Sequence, residues 1–232
     1  MTRKMLVSSI LAQFVLAGML GLYYPSLAGP PLICWPFDIG TAESLPFDGP
    51  HWGGVKADYD RSRLVEDTMA LLTPDMPVIV RMETLRRATV YASKDVSVAS
   101  ELLAGLVARA QDAEAKGRLD ALASFDAGYL IEGYKQAAGI FAGSNPAAGM
   151  DGYGWILRAL GQRTNDCEME FAAALITVDR GGEQFHGHLQ KAVTGAADGS
   201  LLARNLVRQA HLLRLRARSV AEIRSEVGFA KN

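Results

Sequence analysis

The stretch Leu119–Phe141, LDALASFDAGYLIEGYKQAAGIF, decides the fold class. Its large apolar residues Leu122, Phe125, Tyr129, Ile131, Tyr134, Ala138 and Phe141 recur mostly three and four residues apart, the repeat of one face of an α-helix. The pattern continues on both sides. Upstream, Ser97–Lys116 carries Leu102, Leu103, Leu106, Val107 and Ala110 and stops at Gly117, a helix-ending residue. Pro77–Ser93 carries Val78, Met82, Leu85, Thr89 and Ala92 along one face. Arg61–Leu72 reads as a first helix, and Thr73-Pro74 as a cap and proline for the next.

Downstream, glycines, Asn145 and Pro146 break the pattern at residues 143–152. Helical spacing then resumes over Tyr153–Leu160, Cys167–Val178, Glu183–Val193 and Ser200–Arg216, with a last helix from Ser219. Asn165 with Glu168 resembles a capping box for the second of these, and Gly181-Gly182 ends it. Val78-Ile79-Val80 is the one β-branched run, and its neighbours favour helix. The expectation is an all-α protein of eight or nine helices. It is either an irregular helical bundle or a short array of antiparallel helical hairpins, because short connections make neighbours antiparallel. No fixed repeat period is present. Residues 58–230 form one helical domain with its internal loop at 143–152.

Residues 29–57 differ. They hold Pro30, Pro31, Pro36, Pro46 and Pro50, and proline is incompatible with a helix interior. Yet Ile33, Trp35, Phe37, Ile39, Leu45, Phe47 and Trp52 need burial. The segment reads as an extended Pro/Gly-rich strap docked on the helical body.

Residues 1–28 read as a secretory signal peptide. Arg3 and Lys4 precede an apolar run from Met5 to Tyr24, and Ser26 and Ala28 supply small residues for cleavage after Ala28. The alternative is an uncleaved membrane anchor, since 20 apolar residues reach across a bilayer core of ~30 Å. Export to the periplasm or outside the cell is therefore expected. Losing Arg3 and Lys4 leaves 22 basic residues against 25 acidic ones, a net charge of about −3. That balance gives no general attraction to nucleic acid. In an oxidising compartment Cys34 and Cys167 are expected to form a disulfide pinning the strap to the body.

Chemistry is sparse. His186 and His188 are two apart, so on a helix they point about 200° from one another and cannot share a metal. Glu183 and His186 share a face, but no third ligand is evident, so neither metal nor cofactor is expected. No Gly-x-Ser-x-Gly elbow is present, and Gly149–Gly154 does not follow a strand as a dinucleotide fingerprint requires. Glu168/Glu170 and Asp179/Glu183 lie close in sequence, which alone does not place carboxyls across a cleft. Charge is most uneven near the C-terminus, where Arg204, Arg208, Arg214, Arg216 and Arg218 occur with no acid between Leu201 and Ala221. Such a face suits an anionic membrane surface, or pairs with acids such as Asp112, Glu114 or Asp120.

The leading functional expectation is a non-catalytic scaffold binding a protein or peptide at the cell envelope. The first alternative is a hydrolase-like enzyme with its site near residues 150–155. The second is peripheral membrane association through the Arg-rich helix.

Overall fold

The structure is a computed structural model that describes residues 29–49 and 53–229. The proposed signal segment, Pro50, His51 and Trp52 lie outside the described residues. Among the described residues ten α-helices run in order: α1 Pro31–Cys34, α2 Leu64–Leu71, α3 Val78–Ala92, α4 Val96–Ala115, α5 Ala121–Gln136, α6 Gly152–Gln162, α7 Cys167–Thr177, α8 Gly182–Gly195, α9 Leu201–Arg208 and α10 Val220–Phe229. Short 3-10 turns cover Arg61–Arg63 and Ala138–Ile140. No strand occurs among the described residues.

Side-chain caps start most of the long helices. Asp95, Asp120, Asp151, Asp166 and Ser200 each accept a hydrogen bond from a first-turn N–H of α4, α5, α6, α7 and α9. Gly117 ends α4 in the left-handed region (φ 64°), with Arg118 N–H returning to the Ala113 carbonyl at 2.9 Å. Two caps differ from the sequence reading. Helix α3 starts after Pro77 rather than at Thr73-Pro74. Asp166, not Asn165, caps α7, while Glu168 reaches across to accept from Ile79 N–H of α3 at 3.1 Å. A carboxylate at one helix start thus serves the N-terminus of another, where the dipole favours it.

Consecutive helices pair, α4 with α5, α5 with α6 and α7 with α8. Non-consecutive pairs also pack: α3 against α5 and α7, and α7 against α9. A solenoid joins only sequence neighbours, so the arrangement is a bundle. Helices α3, α5 and α7 are buried around nearly their whole circumference and form its centre. At that centre the Asp126 carboxylate holds Arg81 (2.6 Å) and Arg109. The same guanidinium groups donate to the carbonyls of Met76 and Leu72, tying the α2–α3 connection to α5.

Residues 29–49 of the strap are stitched by α3. Leu32, Ile33, Phe37 and Leu45 are buried. Glu83 accepts from Phe37 N–H at 2.9 Å and from Arg86 and Arg87. Those arginines donate to the Ile33 and Leu45 carbonyls. One turn of helix, α1, interrupts the strap, because Pro30 and Pro31 stand at its start, where no backbone donor is needed.

The expected Cys34–Cys167 disulfide is absent; both thiols are free. The strap meets the C-terminal end of α7, where Pro31 and Asp179 line one small cavity. Cys167 opens the same helix at its other end, about 16 Å away at 1.5 Å per residue. It packs there against Gly195 at the end of α8. Burial pushes both thiols above the usual range, so neither is an activated nucleophile.

Candidate functional site

Helix α8 carries a buried polar chain on one side and lines a cleft on the other. It follows α7 through Gly181 (φ 61°) and Gly182 (φ 73°), left-handed positions that suit glycine. The turn sets α8 against α7 on one side and leaves its other side to α10.

Toward α7 and α6, α8 presents His188. Tyr153 Oη and His188 Nε2 share a hydrogen bond of 2.7 Å. His188 Nδ1 donates to Glu170, whose second oxygen accepts from Lys191 Nζ at 2.9 Å. Burial raises the Tyr153 phenol above its ordinary range, so it keeps its proton. Burial opposes the Glu170 charge, but the bonds from His188 and Lys191 prevail and hold its carboxyl below the usual range. Tyr153 is 7 % exposed and His188 8 %. This chain joins three helices through their interior.

On the opposite side lies a cleft of about 700 Å³ between α8, the connection from α9 and α10. Phe185, Leu189 and Leu213, all buried, form its floor with Leu215 and Val227. Glu183, His186, Gln190, Arg214 and Glu226 supply the polar groups of its wall. The sequence-derived pair Glu183 and His186 therefore does share a face, and His188 points elsewhere, as helical spacing requires. No lining residue is Ser, Thr, Cys, Lys or Tyr, the common nucleophiles of covalent catalysis. Among the described residues no three His, Cys, Asp or Glu side chains stand so that they could hold a metal ion together.

The five arginines do not share one helical face. Helix α9 ends at Arg208, and turns occupy the chain until α10 begins at Val220, so the expected helix over Ser200–Arg216 is half as long. Arg214 itself adopts φ 60°. Arg204 pairs with Asp38 of the strap at 2.8 Å, not with Asp112, Glu114 or Asp120. Arg214 lines the cleft, and Arg208, Arg216 and Arg218 are exposed. No described helix is long and apolar enough to cross a membrane.

Glu83 and Asp126 were not legible as buried partners in the sequence, and Glu170 stood out only as one of two carboxyls close in sequence. For Asp126 the available signal was a carboxylate set within an otherwise apolar helical stretch. No family model, curated protein or solved structure matches this chain.

Proposed function

We propose that the protein is a non-catalytic helical scaffold that takes up a protein or peptide segment in the cleft between α8 and α10. The setting is the cell envelope, on the reading of residues 1–28 as an export signal. The observation that carries this is the cleft itself. A buried apolar floor with a few polar groups around it is the usual build of a binding site, and about 700 Å³ falls within the usual size. Gln190 and Glu183 offer hydrogen bonds to a peptide backbone, and the floor accepts apolar side chains.

Gly187 makes the test clean. It lines the cleft on a regular helix, and a Cβ there would meet nothing within 4 Å. Gly187→Trp should fill the cleft while Gly187→Ala leaves it open. A phage-displayed random peptide library panned on the full protein should enrich sequences that bind the alanine variant and lose the tryptophan variant. Failure to enrich, or equal binding to both, overturns the reading.

The second reading, a hydrolase-like centre near residues 150–155, has the Tyr153–His188–Glu170 chain in its favour. A phenol, an imidazole and a carboxylate in line provide nucleophile, base and orienting group. It requires substrate to reach Tyr153, which is buried with its proton firmly held. Turnover of p-nitrophenyl acetate by the wild type that disappears in Tyr153→Phe would favour it over the scaffold.

A further inference from the structure

The connection between α9 and α10 carries a second surface. Residues 208–218 hold Arg208, His211, Arg214, Arg216 and Arg218, all exposed, and no acid. Their neighbours Arg204 and Arg224 are paired, with Asp38 and Asp198. The four guanidinium groups between them enter no ion pair among the described residues. The acids nearest in sequence are Glu222 and Glu226 of α10, and their carboxylates are turned to backbone. Glu226 accepts from the N–H groups of Arg216 (3.1 Å) and Ala217 (3.2 Å), and Glu222 from that of Arg218 at 2.7 Å. Those bonds shape the irregular segment and use the two carboxylates on backbone N–H groups, while Arg208, Arg216 and Arg218 stay exposed and Arg214 borders the cleft. Set against Glu222 and Glu226, the four arginines leave two positive charges over. Beside them, the Trp35 ring stands edge-on to His211 at 4.5 Å and is 37 % exposed.

We propose that this surface docks on an anionic lipid bilayer. Arginines answer acidic headgroups, and a half-exposed indole beside them suits the headgroup level, where one edge is wet and the other apolar. A soluble acidic partner would answer the charge alone. A chain read as exported also meets a bilayer before it meets nucleic acid. The proposal is independent of the peptide cleft, although Arg214 touches both.

Cosedimentation of the full protein with vesicles tests it. Vesicles of equal parts phosphatidylglycerol and phosphatidylcholine should pellet the protein, and pure phosphatidylcholine should not. Raising the salt to 0.5 M should release it, since screening shortens the field to a few Å. Arg208→Gln and Arg218→Gln should each lower partitioning about fivefold, the effect of roughly one surface charge. Trp35→Ala should weaken it too, whereas Gly187→Trp, which fills the cleft, should leave it unchanged. Circular dichroism confirms that each variant is folded. Equal pelleting with neutral vesicles, none with acidic ones, insensitivity to both arginine changes, or capture by immobilised polyglutamate without vesicle binding overturns the proposal.

Discussion

Gly128 of α5 and Gly152 of α6 meet backbone to backbone. A Cβ on Gly128 would stand 2.7 Å from the Gly152 carbonyl oxygen, and one on Gly152 would stand 2.6 Å from that of Gly128. The start of α6 therefore lies directly on α5, and Tyr153 N–H reaches Glu132 of α5 at 3.0 Å. Gly128→Ala forces the helices apart and should cost about 1–3 kcal/mol. For a chain of this size, Tm should fall by roughly 2–4 °C per kcal/mol. Gly105→Ala in α4, where a Cβ meets nothing within 4 Å, should instead raise stability by about 0.5–1 kcal/mol. Thermal melts of the two variants should move in opposite directions.

Glu83 holds the strap. Its side chain is 1 % exposed and answers Arg86, itself fully buried, together with Arg87 and Phe37 N–H. Glu83→Ala leaves the Arg86 cation without its counter-charge, a change that costs about 3–5 kcal/mol in buried pairs. Urea denaturation should show that loss. Limited proteolysis should cut between residues 35 and 48 in the variant well before the wild type, and equal cleavage rates would refute the stitching role.

The helical class was open to reading because apolar periodicity survives without any tertiary knowledge. The stop at Gly117 and the break after Phe141 are local signals of the same kind, whereas the Asp caps of α4 to α7 escape the sequence reading. What stayed hidden depends on partners far along the chain. Glu170 looks like a first-turn acid suited to the helix dipole, and only the fold brings His188 and Lys191 to it. Gly128 reads as a weak point in a helix until α6 is laid across it. The cysteine pair misleads because export argues that thiols pair but not that their helices place them together. The Arg-rich stretch reads as one helix because Leu202, Leu206, Ala210 and Leu213 keep the period, although the chain turns after Arg208.

Two buried carboxyls should give opposite pH signatures. Glu170 is held low by His188 and Lys191. Its contribution is complete above the unfolded glutamate value of about 4.3 and fades as pH falls through the lower folded value. The stability gap between wild type and Glu170→Gln should therefore shrink in acid.

Asp126 behaves in reverse. Burial pushes its carboxyl up to about 6 against the pull of Arg81 and Arg109. The folded state then holds a proton that the unfolded chain has lost, so stability from this group declines as pH rises from about 4 to 6, by roughly 3 kcal/mol. Carbon-detected NMR of the Asp126 carboxyl should show a midpoint near 6. A midpoint below 4 would contradict this.

Both thiols should react. Protein unfolded without reductant in the presence of iodoacetamide should gain two adducts by mass, one at Cys34 and one at Cys167. Cys34→Ser with Cys167→Ser should change stability by far less than the ~2–5 kcal/mol that loss of a native bridge costs.

The strap has a consequence for the order in which the molecule can assemble. Asp38 is made well over a hundred residues before its partners Arg204 and Asn205, which stand 166 and 167 positions further along the chain. Leu32 must likewise await Gln136. The strap therefore waits for its final neighbours while α2 to α8 are made, and its closure comes only with α9. Until then that arm of the polypeptide stays unlatched.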